Sequence, residues 1–149
     1  QVFSAENLDQ LNKVYNNIFV NNGPRRQILI ANFSDNSRET EFHHNIVAYE
    51  EPDAMAIYCG RKVPPTITRW DRNLYWHLGG RRLRFGEQTF RQWQKRGADH
   101  EGLVADPRFA DPRRGDFRLR PGSPAARIGF VPFDLSGVGP RPEMRRALP

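Results

Sequence analysis

The chain has 149 residues, 38% of them apolar, and a mean hydropathy of −0.75. That length suits one domain, no apolar run approaches a membrane span, and the lean apolar content suits a thin, surface-rich architecture better than one round core. The net charge is +6, and 20 of the 23 basic residues are arginine, which suits carboxylate or phosphate recognition; the charges are scattered, however, and no nucleic-acid motif is present.

The first residues, Gln1-Val2-Phe3-Ser4, carry no basic region followed by an apolar stretch, so the chain shows no signal peptide. A mature secreted chain has the same appearance. The segment Asn7-Leu8-Asp9-Gln10-Leu11 reads as the inside of a repeat. An uncovered first repeat presents unpaired strand edges. The expectation is that N-terminal coils of the same protein, or another chain, cover that end.

Asn17, Asn45 and Asn73 follow at a period of 28 residues. Each is preceded three residues back by a large apolar residue: Val14, Phe42 or Trp70. Each is followed by an apolar pair: Ile18-Phe19, Ile46-Val47 or Leu74-Tyr75. Twelve residues after each asparagine come Leu29, Ile57 and Phe85, read as a core column within strands at 27–30, 55–58 and 83–86. A fixed period with at least two short strands per repeat predicts an all-β fold, a parallel β-solenoid. The leucine-rich alternative needs an L-x-x-L-x-L spacing that is absent. The asparagines are read as scaffold, taking a left-handed bend and bonding amide to amide between repeats.

The loops Asn22–Arg25, Glu50–Asp53 and Leu78–Arg81 are turn-like. Stacking places an acidic loop between two basic ones, which predicts ion pairing. Glu50, Glu51 and Asp53 match no ordered calcium loop, so calcium there is only an alternative, and no other cofactor or metal is expected. Cys59 is the single cysteine; it excludes an internal disulfide and reads as a small buried hydrophobe.

After residue 86 the repeat stops, dividing the chain into coils at 1–86 and a cap and tail at 87–149. Thr89 and Gln92 fit a capping box and Gly97 a helix stop, which predicts a helix over 90–96. Phe90 and Trp93 then fold onto the open end of the stack. Asp106-Pro107 and Asp111-Pro112 read as rigid turns flanking Phe109. Residues 116–120 alternate as a strand, and Ser123-Pro124 opens a further helical turn.

Several segments together are similar to right-handed parallel β-helix repeat proteins. They include Tyr15-Asn16-Asn17-Ile18-Phe19, His44-Asn45-Ile46-Val47 and Arg72-Asn73-Leu74-Tyr75-Trp76. The tail resembles the closing segment of a bacterial branch of that family in Phe90–Gln94, Ala105–Pro112 and Gly115–Ala125, with Gly129-Phe130 and Val138-Gly139-Pro140 at its end. The resemblance covers roughly residues 12–140. It implies the C-terminal part of a secreted or periplasmic protein acting on polysaccharides, glycoside hydrolase before polysaccharide lyase. The alternative is a non-catalytic β-helix that binds glycan or a surface partner. Its partner is a polysaccharide or oligosaccharide, with no nucleic acid and no membrane.

If Phe42 points inward, Glu39, Glu41 and His43 share the outward face of their strand. The period sets Glu41 between Lys13 and Arg69, His43 between Tyr15 and Asp71, and Glu39 between Leu11 and Ile67, at about 4.8 Å per repeat. Candidate catalytic residues are Glu39, Glu41, His43 and Asp71. Glu39 among apolar neighbours suits a general acid, and His43 beside Asp71 an oriented base. Glu39 and Glu41 lie roughly 6.8 Å apart along the strand, compatible with the carboxyl spacing of glycosidases. Arg69, Arg72, Tyr15 and Trp76 are candidate substrate-binding residues, with Tyr75 a further aromatic near the face. Each also has a structural reading: Glu41 as one rung of a charge ladder, His43–Asp71 as a surface hydrogen bond, and Trp76 as a loop anchor.

Overall fold

The computed structural model describes residues 2–3, 12–30, 40–59 and 70–134. Within them the chain is mostly strand with a single α-helix. Three repeats each supply one strand to neighbouring parallel sheets. The first sheet joins β2 (Asn12–Tyr15), β5 (Thr40–His43) and β8 (Trp70–Asp71). The second joins β3 (Ile18–Val20), β6 (Ile46–Tyr49) and β9 (Leu74–His77). In both, Cα partners lie 28 residues apart, as in Val14↔Phe42↔Trp70 and Ile18↔Ile46↔Leu74.

The third sheet departs from the ruler. It joins β1 (Val2–Phe3), β4 (Arg26–Ile30) and β7 (Met55–Cys59), and β4 meets β7 at a spacing of 29. Ile28, not Leu29, therefore pairs with Ile57 and is fully buried with it. Counted from the register pair Val20↔Ala48, the turn into β4 is one residue shorter than the turn into β7: Val20 to Arg26 is six residues, Ala48 to Met55 seven. Gln27 closes it: its side chain accepts from the Asn22 amide at 2.6 Å and donates to the Gly23 carbonyl at 2.7 Å. The strand expected at 83–86 is reduced to a single bridge from Phe85 to Ile57. There the chain turns back at once, Phe85 and Gln88 exchanging two backbone hydrogen bonds. The side chains of Leu29 and Cys59, and residues 138–140, lie outside the described set.

The asparagine ladder forms. The amide oxygen of Asn45 accepts from both the backbone and side-chain N–H of Asn17, at 3.0 and 3.2 Å, and that of Asn73 does the same for Asn45. The left-handed conformation belongs to the preceding residue instead: Asn16, His44 and Arg72 have φ of 55°, 55° and 54°. The ladder amides also donate to the preceding repeat, Asn45 to the Val14 carbonyl at 2.9 Å and Asn73 to the Phe42 carbonyl at 3.1 Å.

The repeat does not end at residue 86. Asp99 occupies the next rung, 26 residues beyond Asn73, and its Oδ1 accepts the Asn73 backbone and side-chain N–H groups at 3.2 and 2.8 Å. β10 (Leu103–Val104) then continues the second sheet beside β9. Between them, α1 (Phe90–Lys95) has the expected capping box, with Gly97 in left-handed conformation just past its end. Trp93 docks into the core, and its Nε1 donates to Asp99 Oδ2 at 2.9 Å.

The second sheet is buried on both faces. Phe19, Val47, Tyr49 and Tyr75 face the core shared with Ile28, Phe42, Ile57 and Trp70. Ile46, Ala48 and Leu74 face Phe109, Ala125, Ile128 and Phe130 of the tail. All four residues of β6 are consequently buried. The tail does more than close one end. Its antiparallel hairpin, β11 (Phe109–Asp111) with β12 (Asp116–Leu119), packs along the side of the sheet. A 3-10 helix, Pro124–Ile128, follows behind the Ser123 cap. The chain then returns to the first repeat, where Asn16 exchanges two hydrogen bonds with the backbone of Val131, at 2.7 and 2.8 Å.

Candidate functional site

The outward face of the first sheet holds the densest group of polar side chains expected to carry chemistry. Phe42 is fully buried, so its neighbours Glu41 and His43 point away from the core. The register places Lys13 beside Glu41, and His43 between Tyr15 and Asp71. Lys13 Nζ lies 3.6 Å from Glu41 Oε2. The same oxygen lies 3.8 Å from His43 Nε2. The Tyr15 ring stacks on the imidazole of His43 with centroids 5.4 Å apart and planes within 10°. Tyr15 is 56% exposed, a flat aromatic surface at the rim of the group.

His43 takes its second partner from within its own repeat. Its Nδ1 lies 2.5 Å from Nδ1 of His44. Two ring nitrogens at that separation share one proton, so one donates and the other accepts. Burial, the neighbouring His43 and the Arg72 charge hold the His44 pKa below the usual histidine range, against the opposing pull of Asp71. His44 therefore favours the neutral, accepting form. It meets His43 because its left-handed backbone at the bend swings its ring sideways. Gly129 of the tail seats it from behind: a Cβ there would lie 3.0 Å from His44 Cδ2.

Asp71 does not orient His43 in the manner expected. Its Oδ1 accepts from the backbone N–H groups of Arg72 at 2.8 Å and Glu101 at 2.9 Å. That oxygen fixes the turn and ties it to the cap. Arg72 forms an ion pair with Glu101 at the same edge. Glu39 and Arg69 lie outside the described residues.

The structure thus gathers Lys13, Tyr15, Glu41, His43, Asp71 and Arg72 on and beside one face. Trp76 is elsewhere, half-buried on β9 against the tail. Tyr75 is fully buried, accepting from Trp70 Nε1 at 2.9 Å and donating to Asp99 Oδ2 at 2.8 Å, and offers no stacking surface. The expected pairing of stacked loops is absent. Among the described residues no ion pair joins Glu50, Glu51 or Asp53 to Arg25 or Arg81; Glu50 is held by Asn21 instead, at 3.0 and 3.2 Å. His44 is the site residue that periodicity passed over. Its signal was the His-His doublet placed at the bend, where one ring must turn out of the strand alternation.

Among the described residues, no group of three or more His, Cys, Asp and Glu side chains is arranged to hold a metal ion, and no helix is long and apolar enough to cross a membrane. Comparison of the chain with protein-family models, curated proteins and solved structures found no match.

Proposed function

We propose that the chain forms part of a right-handed parallel β-helix that acts on an extracellular polysaccharide along the outward face of β2, β5 and β8. The observation that carries this reading is the single row of Lys13, Glu41, the His43–His44 pair and Asp71 across three repeats, rimmed by exposed Tyr15. Strands about 4.8 Å apart give a flat, ridged surface of the kind a linear polymer can lie along.

Between hydrolysis and elimination, the row favours elimination. Hydrolysis needs one carboxyl to protonate the leaving oxygen and another to activate water or attack. Here Asp71 spends an oxygen on two backbone amides, and Glu41 lies against Lys13 and His43. Elimination from a uronate needs a base and a cation, and the row supplies both. The imidazole pair takes the proton from the carbon next to the uronate carboxylate, and Lys13 neutralises that carboxylate. The C–H electron pair forms a carbon–carbon double bond, the bond from the uronate ring to the glycosidic oxygen breaks with its electron pair on that oxygen, and the oxygen leaves as a hydroxyl by taking a proton from the protonated imidazole pair or from water. A neutral histidine accepts such a proton directly.

The test is product analysis after incubation with uronate-containing and neutral polysaccharides. Elimination yields unsaturated ends that absorb in the ultraviolet. Hydrolysis yields saturated ends only and would move the chemistry to the carboxylates. Binding without cleavage of any polymer would establish the second reading, a glycan-binding module. That reading draws support from the structural use of Asp71.

A further inference from the structure

A cleft of about 1100 Å³ opens on the side of the molecule, where the tail hairpin crosses the second sheet. It does not include the His43 row. Glu50, Glu51, Asp106, Asp111 and Trp76 all line it. Arg113 and Arg120 also border it, so the cleft carries more carboxylate than guanidinium charge. Ligand pockets span roughly 300–1,000 Å³, so this space accepts a short oligomer.

The walls are held by fixed contacts. Glu50 is braced by Asn21 at 3.0 and 3.2 Å, Asp106 accepts the Arg108 amide at 2.7 Å, and Asp111 lies 3.7 Å from Arg114 Nε. Arg120 donates to the Ala110 carbonyl, which occupies part of its guanidinium. Glu51 is exposed, and Trp76 is partly buried, packed against the outer core of the sheet.

We infer that this cleft is a saccharide-binding site for neutral or amino sugars, separate from the face that would act on a uronate. An indole presents a broad apolar surface to the axial C–H face of a sugar ring, and binds a nearby ammonium through its π-face. Carboxylates accept hydrogen bonds from hydroxyl and ammonium donors at the ring's edge. The same carboxylates repel a uronate, which assigns the two polymers to different sites.

The experiment is a tryptophan-fluorescence titration of the whole chain with three probes: a glucosamine hexamer, a glucose hexamer and a galacturonate hexamer. Trp70 and Trp93 are buried, so Trp76 is the reporter that a cleft ligand reaches. The expected result is a saturable change with the first two and at least about tenfold weaker binding of the third. Trp76→Ala removes the reporter, so its binding is read by titration calorimetry, where it should be about tenfold weaker. Because Trp76 also packs on the sheet, Glu51→Lys is the second variant; it is exposed, and should weaken the glucosamine hexamer more than the glucose hexamer. Binding unchanged in both variants overturns the proposal, as does preferential binding of galacturonate to the cleft. Silence with all three sugars alongside saturable binding of a lysine-rich peptide also overturns it, in favour of a peptide site. None of these outcomes touches the His43 face, which is judged by its cleavage products.

Discussion

Asp99 gives the sharpest physical prediction. Its carboxylate is fully buried at the end of the asparagine ladder. It accepts from Asn73 twice, from Tyr75 and from Trp93. Burial nonetheless outweighs those four bonds and pushes its pKa up from 3.8 to about 6. A carboxyl whose folded pKa is raised binds its proton more tightly in the native state than in the unfolded one. Its stabilising contribution is therefore fully present below pH 3.8, and is lost as the pH rises through about 6. A shift of about two units corresponds to about 3 kcal/mol. Asp99→Asn removes the titration. Its amide oxygen still serves Asn73, but its NH₂ faces the Trp93 donor. The assay is urea unfolding of both proteins at intervals from pH 4 to 7.5. Subtracting the two curves cancels the other carboxylates. The stability advantage of the native chain over the variant should grow by about 2 kcal/mol on going from pH 7.5 to pH 4, the remainder appearing below pH 3.8. A difference that stays constant across that range, or that shrinks toward acid, refutes the reasoning.

Other variants test the scaffold. Asn45→Ala strips the middle rung and leaves the Asn17 amide and Val14 carbonyl without their partner, so it should cost about 3 kcal/mol by urea unfolding; a loss under about 0.5 kcal/mol would deny the ladder its role. Asn16→Ala removes both hydrogen bonds to Val131 and puts alanine at φ 55°, so amide exchange at Val131 should accelerate strongly while exchange in β6 stays slow. Gly129→Ala forces a side chain into a left-handed position 3.0 Å from His44, and should destabilise by about 1–2 kcal/mol in thermal or urea unfolding. An unchanged midpoint would mean that the tail does not seat His44.

The period of 28 was legible because the ladder and two of the sheets obey it without interruption. Phe42 inward, with Lys13 beside Glu41 and Tyr15 beside His43, followed directly from that ruler. The third sheet was not legible, because a one-residue difference in turn length is invisible when both turns are polar, and Ile28 and Leu29 are equally apolar. Asp99 escaped for a related reason. The helix between it and Asn73 changes the rung spacing to 26, and an aspartate replaces the asparagine. The lateral docking of the tail escaped because nothing in the apolar pairs beginning with Ile18, Ile46 and Leu74 tells an outer core from the inner one; the run Ile46–Tyr49, apolar at every position, is what a strand covered on both faces looks like. His43 was correctly placed on the face, but its partner was assigned across repeats, to Asp71. The left-handed bend instead brought its sequence neighbour, His44, into contact. Contacts made at bends depend on backbone dihedrals that a stacking ruler does not describe.

The proposed chemistry rests on the imidazole pair. Its most direct test is the kcat/KM of the whole chain and of His43→Ala on a uronate polysaccharide, with folding checked by circular dichroism. Removal of a general base should lower the formation of unsaturated ends by on the order of 10²–10⁴-fold. Equal rates in the two proteins, with the fold intact, would contradict the assignment of this face as the reacting surface.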